Sequence, residues 1–167
     1  MRLYLDMEFV SFNCPLEGLI SLGCVTDQDS RWYGVHRDYP LDWCTPFVLE
    51  HVRPYLLDHP PQVVDALSMM GAKLHEWIEA LGEEVTAVVD YSGDWFFLVD
   101  LLHHAECWPR NLARQPEYIY SDLSEALLAQ EGGIEGFITQ FMAEHGLTRH
   151  NALSDALANK AMWSAMR

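Results

Sequence analysis

The chain is poor in positive charge. Ten lysines and arginines stand against twenty-five aspartates and glutamates, a formal net charge of −15 with a pI near 4.7. Proteins that grip long duplexes usually carry a basic stripe that displaces counterions, and none is found here. The acid excess reads as a solubilising surface. It also implies that any contact with nucleic acid is short and local, and leans on bound metal rather than on a basic groove. Long hydrophobic runs are missing too. No stretch of about 18 apolar residues exists, which excludes a membrane-spanning helix. The opening MRLYLDMEFV lacks the basic-then-apolar pattern of a secretory leader. A soluble, cytoplasmic protein without a membrane partner is therefore expected. Cysteine is sparse: Cys14, Cys24, Cys44 and Cys107 form no CxxC pair, so free and mostly buried thiols are expected. His103, His104 and Cys107 have spacings compatible with one helix face, but no second Cys/His pair has zinc-finger spacing. Internal repeats, low-complexity tracts and obvious linkers are absent.

What is present is a core. Half of the 167 residues are hydrophobic and 12% are aromatic, enough for one packed domain over residues 1–167 and short for two. Residues 2–10 alternate as a strand, with Leu3, Leu5, Met7 and Phe9 on one side and Tyr4, Asp6, Glu8 and Val10 on the other. Residues 19–26 and 31–36 read as two further strands, and the short connections predict a three-strand antiparallel meander. A short helix is expected over 46–57 and a stronger one over 62–81, where Val63, Leu67, Met70, Leu74 and Leu81 recur at helical spacing and Gly82 provides the stop. A buried strand follows at 85–90. Next comes a helix from about Gly93 to His103, with Ser92 as its cap. The pattern closes with a strand at 117–121 and helices at about 122–130, 134–145 and 152–166. This order predicts an α/β fold whose sheet carries the meander on one side and crossover connections on the other.

Three short patterns carry chemistry. Asp6 and Glu8 lie two apart on a strand, so both carboxylates project from one face. Such a pair repels itself unless a cation intervenes, and hard divalent ions such as Mg²⁺ or Mn²⁺ prefer oxygen ligands. A solvated strand face is the plain alternative. It is weakened by the apolar opposite face and the strongly apolar next segment, which mark a strand covered on both sides. Asp94 falls in the first turn of the helix entered from the strand that ends at Asp90. Functional groups of α/β folds gather at such junctions, although the helix dipole alone also favours an acid there. The third pattern is His150-Asn151-Ala152-Leu153-Ser154-Asp155-Ala156. His150 and Asp155 cannot share a helical face at a spacing of five, but they converge if His150 sits on the loop and Asp155 points back from the early helix, with Asn151 as the N-cap.

Taken in this order, D-x-E, a helix-opening Asp and H-x-x-x-x-D resemble the DEDDh exonucleases, the group that includes oligoribonuclease, ribonuclease T and the proofreading exonuclease subunits. The likeness runs from Tyr4–Phe9 through Leu19–Val25 and Ser92–Leu98 to His150–Lys160. It is most similar to a compact bacterial and phage 3′–5′ exoribonuclease branch. The sequence departs from the family pattern at Asp90-Tyr91-Ser92-Gly93, where an Asn is common, and this leaves Asp90 as an alternative to Asp94. The resemblance implies a ribonuclease-H-like mixed sheet. It also implies a 3′–5′ exonuclease that hydrolyses single-stranded or short RNA, or DNA, from a free 3′ end to nucleoside 5′-monophosphates. Two divalent ions, Mg²⁺ or Mn²⁺, roughly 3.5–4 Å apart, would be held by Asp6, Glu8, Asp94 and Asp155, with Asp6 bridging and His150 as general base. Stacking on the terminal base would fall to the neighbourhood of Met7 and Phe9, with Trp95 a second candidate, though strand alternation favours a core role for Met7 and Phe9. A homodimer is implied. The competing readings are a ribonuclease-H-like module that binds nucleic acid or a partner without cutting, and a structural metal-binding domain.

Overall fold

A computed structural model describes residues 1–119 and 132–166. Six strands form one mixed sheet: β1 (Arg2–Phe9), β2 (Leu19–Thr26), β3 (Arg31–His36), β4 (Val63–Asp65), β5 (Thr86–Val89) and β6 (Glu117–Tyr118). Their order across the sheet is β4-β3-β2-β1-β5-β6. β1, β2 and β3 form the antiparallel meander, while β4 runs parallel to β3, β5 to β1 and β6 to β5. The α-helices among the described residues are α1 (Leu67–Ala80), α2 (Ser92–His104), α3 (Gly133–His145) and α4 (Ala152–Ala165). A meander followed by alternating helices and parallel strands is the expected α/β fold, and it is consistent with a ribonuclease-H-like one. No described helix is long and apolar enough to cross a membrane.

The alternation in β1 explains why it lies in the middle. Leu3, Leu5 and Met7 enter a core with Met70, Leu74 and Ile78 of α1 and Leu98, Leu101 and Leu102 of α2. Tyr4 points the other way, into a core with Val25, Val88 and the α4 residues Ala156, Leu157, Met162 and Trp163. With both faces covered, the strand can hold carboxylates only where the helices leave an opening.

Several boundaries differ from the sequence reading. The helix expected over 62–81 starts only at Leu67, and Val63–Asp65 instead pairs with β3. Pro60 and Pro61 bias the preceding backbone away from helix, and Val63 and Val64 suit a strand. Strand pairing also satisfies backbone groups here: Arg37 N donates to Asp65 O and Gln62 N to Tyr33 O, both at 2.9 Å. The helix does stop as expected, with Gly82 at φ 75°. The short helix expected over 46–57 is a wide π-type turn, Val48–Val52, running into a 3₁₀ turn, Arg53–Tyr55, because Pro54 has no N–H with which to extend an α-helical ladder. Ser92 is the first residue of α2 rather than its cap, and no side chain caps that end. Of the strand expected over 117–121, Glu117–Tyr118 pairs with β5. The helix expected over 122–130 lies outside the described residues.

Candidate metal centre

Three separated segments bring acids to one opening at the end of the sheet. β1 supplies Asp6 and Glu8. The β5–α2 junction supplies Asp90 and Asp94. The start of α4 supplies Asp155, with His150 just before it. The described ligand atoms form two groups of three, Asp6 with Asp90 and Asp94, and Glu8 with His150 and Asp155, and within each group they lie no more than 4.8 Å apart. All six residues line one cavity of about 620 Å³, together with Met7, Phe9, Phe12, Phe47, Tyr91 and Arg149.

The approach of α4 depends on a residue the sequence reading did not single out. Gly23 of β2 stands opposite Asp6 in the register. A Cβ there would collide with the backbone of Ala152 and Leu153, so the missing side chain lets the first turn of α4 rest against the strand next to β1. Asn151 fixes that turn as expected, its Oδ1 accepting from Leu153 N (3.1 Å) and Ser154 N (3.3 Å). Its Nδ2 donates to Tyr33 Oη (3.2 Å) and to Tyr55 O (2.8 Å), and Tyr33 Oη donates on to Leu56 O (2.9 Å). The loop that carries His150 is thereby tied to β3 and to the 48–56 segment. His150 itself adopts φ 62°, a left-handed conformation that costs energy in most non-glycine residues. Its ring meets Phe47 edge-on, with centroids 5.0 Å apart.

Electrostatics set these acids apart from ordinary surface carboxylates. Burial, followed by repulsion from Asp155, Asp94, Asp90 and Glu8, holds the Asp6 carboxyl well above its usual range. Burial and then Asp155 push Glu8 up to about 8, against a counteracting pull from Arg149. Burial raises Asp155 to about 7, opposed first by Arg149. Asp94, only 2% exposed, is held well above its usual range by burial, then by Asp90 and Glu8. Asp90 is also raised by burial, in part offset by the Asn159 amide, which donates to its Oδ1 at 3.2 Å. The His150 imidazole moves the other way: burial, then Arg149 and His51, lower its proton affinity. Five carboxylates that resist ionisation together, with oxygen as their only donor atom, make a site short of positive charge and suited to hard divalent cations.

No protein-family model matches the chain, and a search of curated proteins finds no match. The chemistry of the site is therefore read from its own geometry.

The expected site residues separate into two sets. Asp6, Glu8, Asp94, Asp155 and His150 come together, and Asp90 joins them rather than replacing Asp94. Met7 is buried in the core shared with α1 and α2, as alternation requires, yet borders the cavity. Phe9, displaced by a bulge in the pairing after Glu8, also borders it, and its ring lies 4.3 Å from that of Phe97. Trp95 does not reach the opening. It is buried in the same core, edge-on to Trp108 with centroids 6.0 Å apart, because the residue after Asp94 turns about 100° around α2, away from the acids. The aromatic rings at the mouth are Phe12, Phe47 and Tyr91, and Phe12 meets Tyr91 edge-on at 6.5 Å. No periodic signal in the sequence marks them: Phe12 and Tyr91 sit in turns and bends, and Phe47 lies in the short helical turn that leads into Val48–Val52.

Proposed function

We propose that the protein is a metal-dependent 3′–5′ exonuclease acting on short single-stranded RNA or DNA. The observation that carries this reading is the convergence of five carboxylates from three separated segments, with one histidine, on a single cavity. Structural acids are commonly paired with cations or spread over the surface. These are gathered, partly or fully buried, and mutually raised. Asp6 feels the charge of all four other acids and would help to hold the cations. Glu8 and Asp155 would serve one, and Asp94 with Asp90 the other. Bound there, Mg²⁺ or Mn²⁺ ions would polarise a phosphodiester and make water a nucleophile at neutral pH.

The chain's own residues account for the rest. His150 stands at the cavity wall, where burial favours the unprotonated imidazole that can accept a proton from the attacking water. Its left-handed backbone and the Asn151 anchor fix where that nitrogen lies. Attack at phosphorus breaks the bond to the 3′ oxygen of the preceding nucleotide and releases a nucleoside 5′-monophosphate. A cavity of this volume is of small-molecule size, which favours a chain end over the middle of a duplex. The preference for the 3′ end comes from the likeness of the three motifs to the DEDDh exonucleases.

The test uses a 5′-labelled RNA of a few nucleotides with Mn²⁺. A ladder shortening from the 3′ end is expected, strongly slowed by a 3′-phosphate and abolished in Asp6→Asn. Retention of the RNA without shortening supports a binding module instead. Equal cleavage of circular and linear substrates would overturn the exonuclease reading.

A further inference from the structure

Arg149 is the only lysine or arginine among the described residues that line the acidic cavity. Its Nε lies 3.4 Å from Asp155 Oδ1, an ion pair that lacks hydrogen-bond geometry. Its Nη1 donates to Glu135 Oε2 of α3 at 3.1 Å. The guanidinium thus spans from a carboxylate inside the site to one at its rim, where Glu135 is 75% exposed. The inner contact is the weaker in geometry, and the outer one faces water, so neither holds the side chain in place firmly.

Charge counting gives this residue a task. Five carboxylates line the cavity, and two divalent cations would leave one negative charge uncompensated. Arg149 brings the loaded site to neutrality. The phosphodiester that must enter is itself an anion, and in a protein of net charge −15 no other described lysine or arginine at the cavity is available to meet it. A planar guanidinium matches two oxygens of a phosphate as well as it matches a carboxylate. We propose that Arg149 is a resident counter-cation that changes partners: it pairs with Asp155 while the site is free of divalent metal, and turns to the phosphodiester of the bound oligonucleotide once metal holds that carboxylate. This rests on the nuclease reading above. It makes Arg149 both a competitor of the metal and a binder of the substrate.

The two roles have opposite signatures. In Arg149→Gln the competitor is gone, so Mn²⁺ binding followed by calorimetry without substrate should tighten, by about three- to tenfold for one unit charge at partly buried separation. KM for a short oligonucleotide should rise by roughly tenfold or more, the worth of a charged hydrogen bond, with kcat close to the parent. Arg149→Lys keeps the charge without the fork and should fall between on both measures. Glu135→Gln, which removes only the outer partner, should leave Mn²⁺ affinity and KM within about twofold, a small change for an exposed pair. Melting curves identify any variant that is not folded. Weaker or unchanged Mn²⁺ binding in Arg149→Gln overturns the exchange, as does a loss confined to kcat. If the parent hydrolyses RNA and Asp6→Asn does not, such a result removes the inference and leaves the nuclease reading standing. If the parent neither binds Mn²⁺ nor cuts, both fall.

Discussion

The raised carboxyls make their share of the stability fall as pH rises, and metal should reverse it. A carboxyl raised by folding keeps its proton where the unfolded chain has lost it. The stability this provides is complete below the ordinary carboxylate range and disappears as pH climbs through the folded value. For Asp155 and Glu8 those values are about 7 and about 8, so their loss falls between pH 5 and pH 8, while His36, His59 and His150, lowered by burial, contribute the opposite slope over the same range. Either group alone would cost about 3 kcal/mol across that window. The two titrate as one system, and about 3 kcal/mol is taken for the pair rather than twice that. In a chain of this length 1 kcal/mol moves the melting temperature by roughly 2–4 °C, so these two acids lower the melting point of metal-free protein by roughly 6–12 °C between pH 5 and pH 8, a drop that the three histidines reduce. Saturating Mn²⁺ binds the ionised form and should raise the melting point most at pH 8 and least at pH 5. In Glu8→Gln the slope in chelator should flatten and the metal increment shrink. Scanning calorimetry at four pH values, with and without Mn²⁺, decides the matter. A Glu8→Gln variant whose melting-point change between pH 5 and pH 8 in chelator equals the parent's, or a metal increment no larger at pH 8 than at pH 5, refutes the linkage between these acids and a cation.

Gly23→Ala should destabilise the fold by about 1–3 kcal/mol, as overpacking does, and weaken Mn²⁺ binding by displacing the turn that carries Asp155; parental metal affinity in a folded variant would refute the role given to this contact. His150→Ala should lose about 10²–10⁴ in rate while Mn²⁺ binding stays near the parent, and higher pH should restore part of the rate; parental hydrolysis would remove His150 from the mechanism. Because Asp90 and Asp94 both approach Asp6, Asp90→Asn and Asp94→Asn should each weaken metal binding, and an Asp90→Asn variant with parental affinity would assign Asp90 to the Asn159 hydrogen bond alone.

The fold was legible wherever one periodicity dominated. The alternation of Leu3, Leu5 and Met7 against Tyr4 and Asp6 named the strand, its two covered faces and hence its central position. Helix α4 and its Asn151 cap followed from local chemistry that does not depend on tertiary contacts. The errors arose where a pattern admitted two periods. Val63 and Leu67 fit a helical stripe, yet Val63 belongs to a strand whose backbone bonds are long-range, to Tyr33 and Arg37. No local window contains those partners. Ser92 looked like a cap because it is a serine before a helical run, but capping is a matter of one side-chain rotation that composition does not fix.

The site was legible as a set of acids and opaque as a surface. Asp6, Glu8, Asp94, His150 and Asp155 stand out because carboxylates and a histidine at strand ends and helix starts are few. Asp90 could be raised as an alternative but not as a companion, since one residue of strand end and one of helix start are four apart in sequence and only the turn between them brings both to Asp6. Gly23 and Arg149 gave no signal. A glycine in an apolar strand and an arginine before a histidine are ordinary in sequence, and each gains meaning from what lies across a gap: the backbone of Ala152 for one, the carboxylate of Asp155 for the other. The same holds for the overall charge. A formal −15 argues against a long basic track and points to bound metal as what meets a phosphate, but it does not single out a cationic side chain. The answer suggested by the geometry is local: the acids are concentrated where two divalent cations would offset four of their five charges, and one arginine stands beside them to carry the fifth.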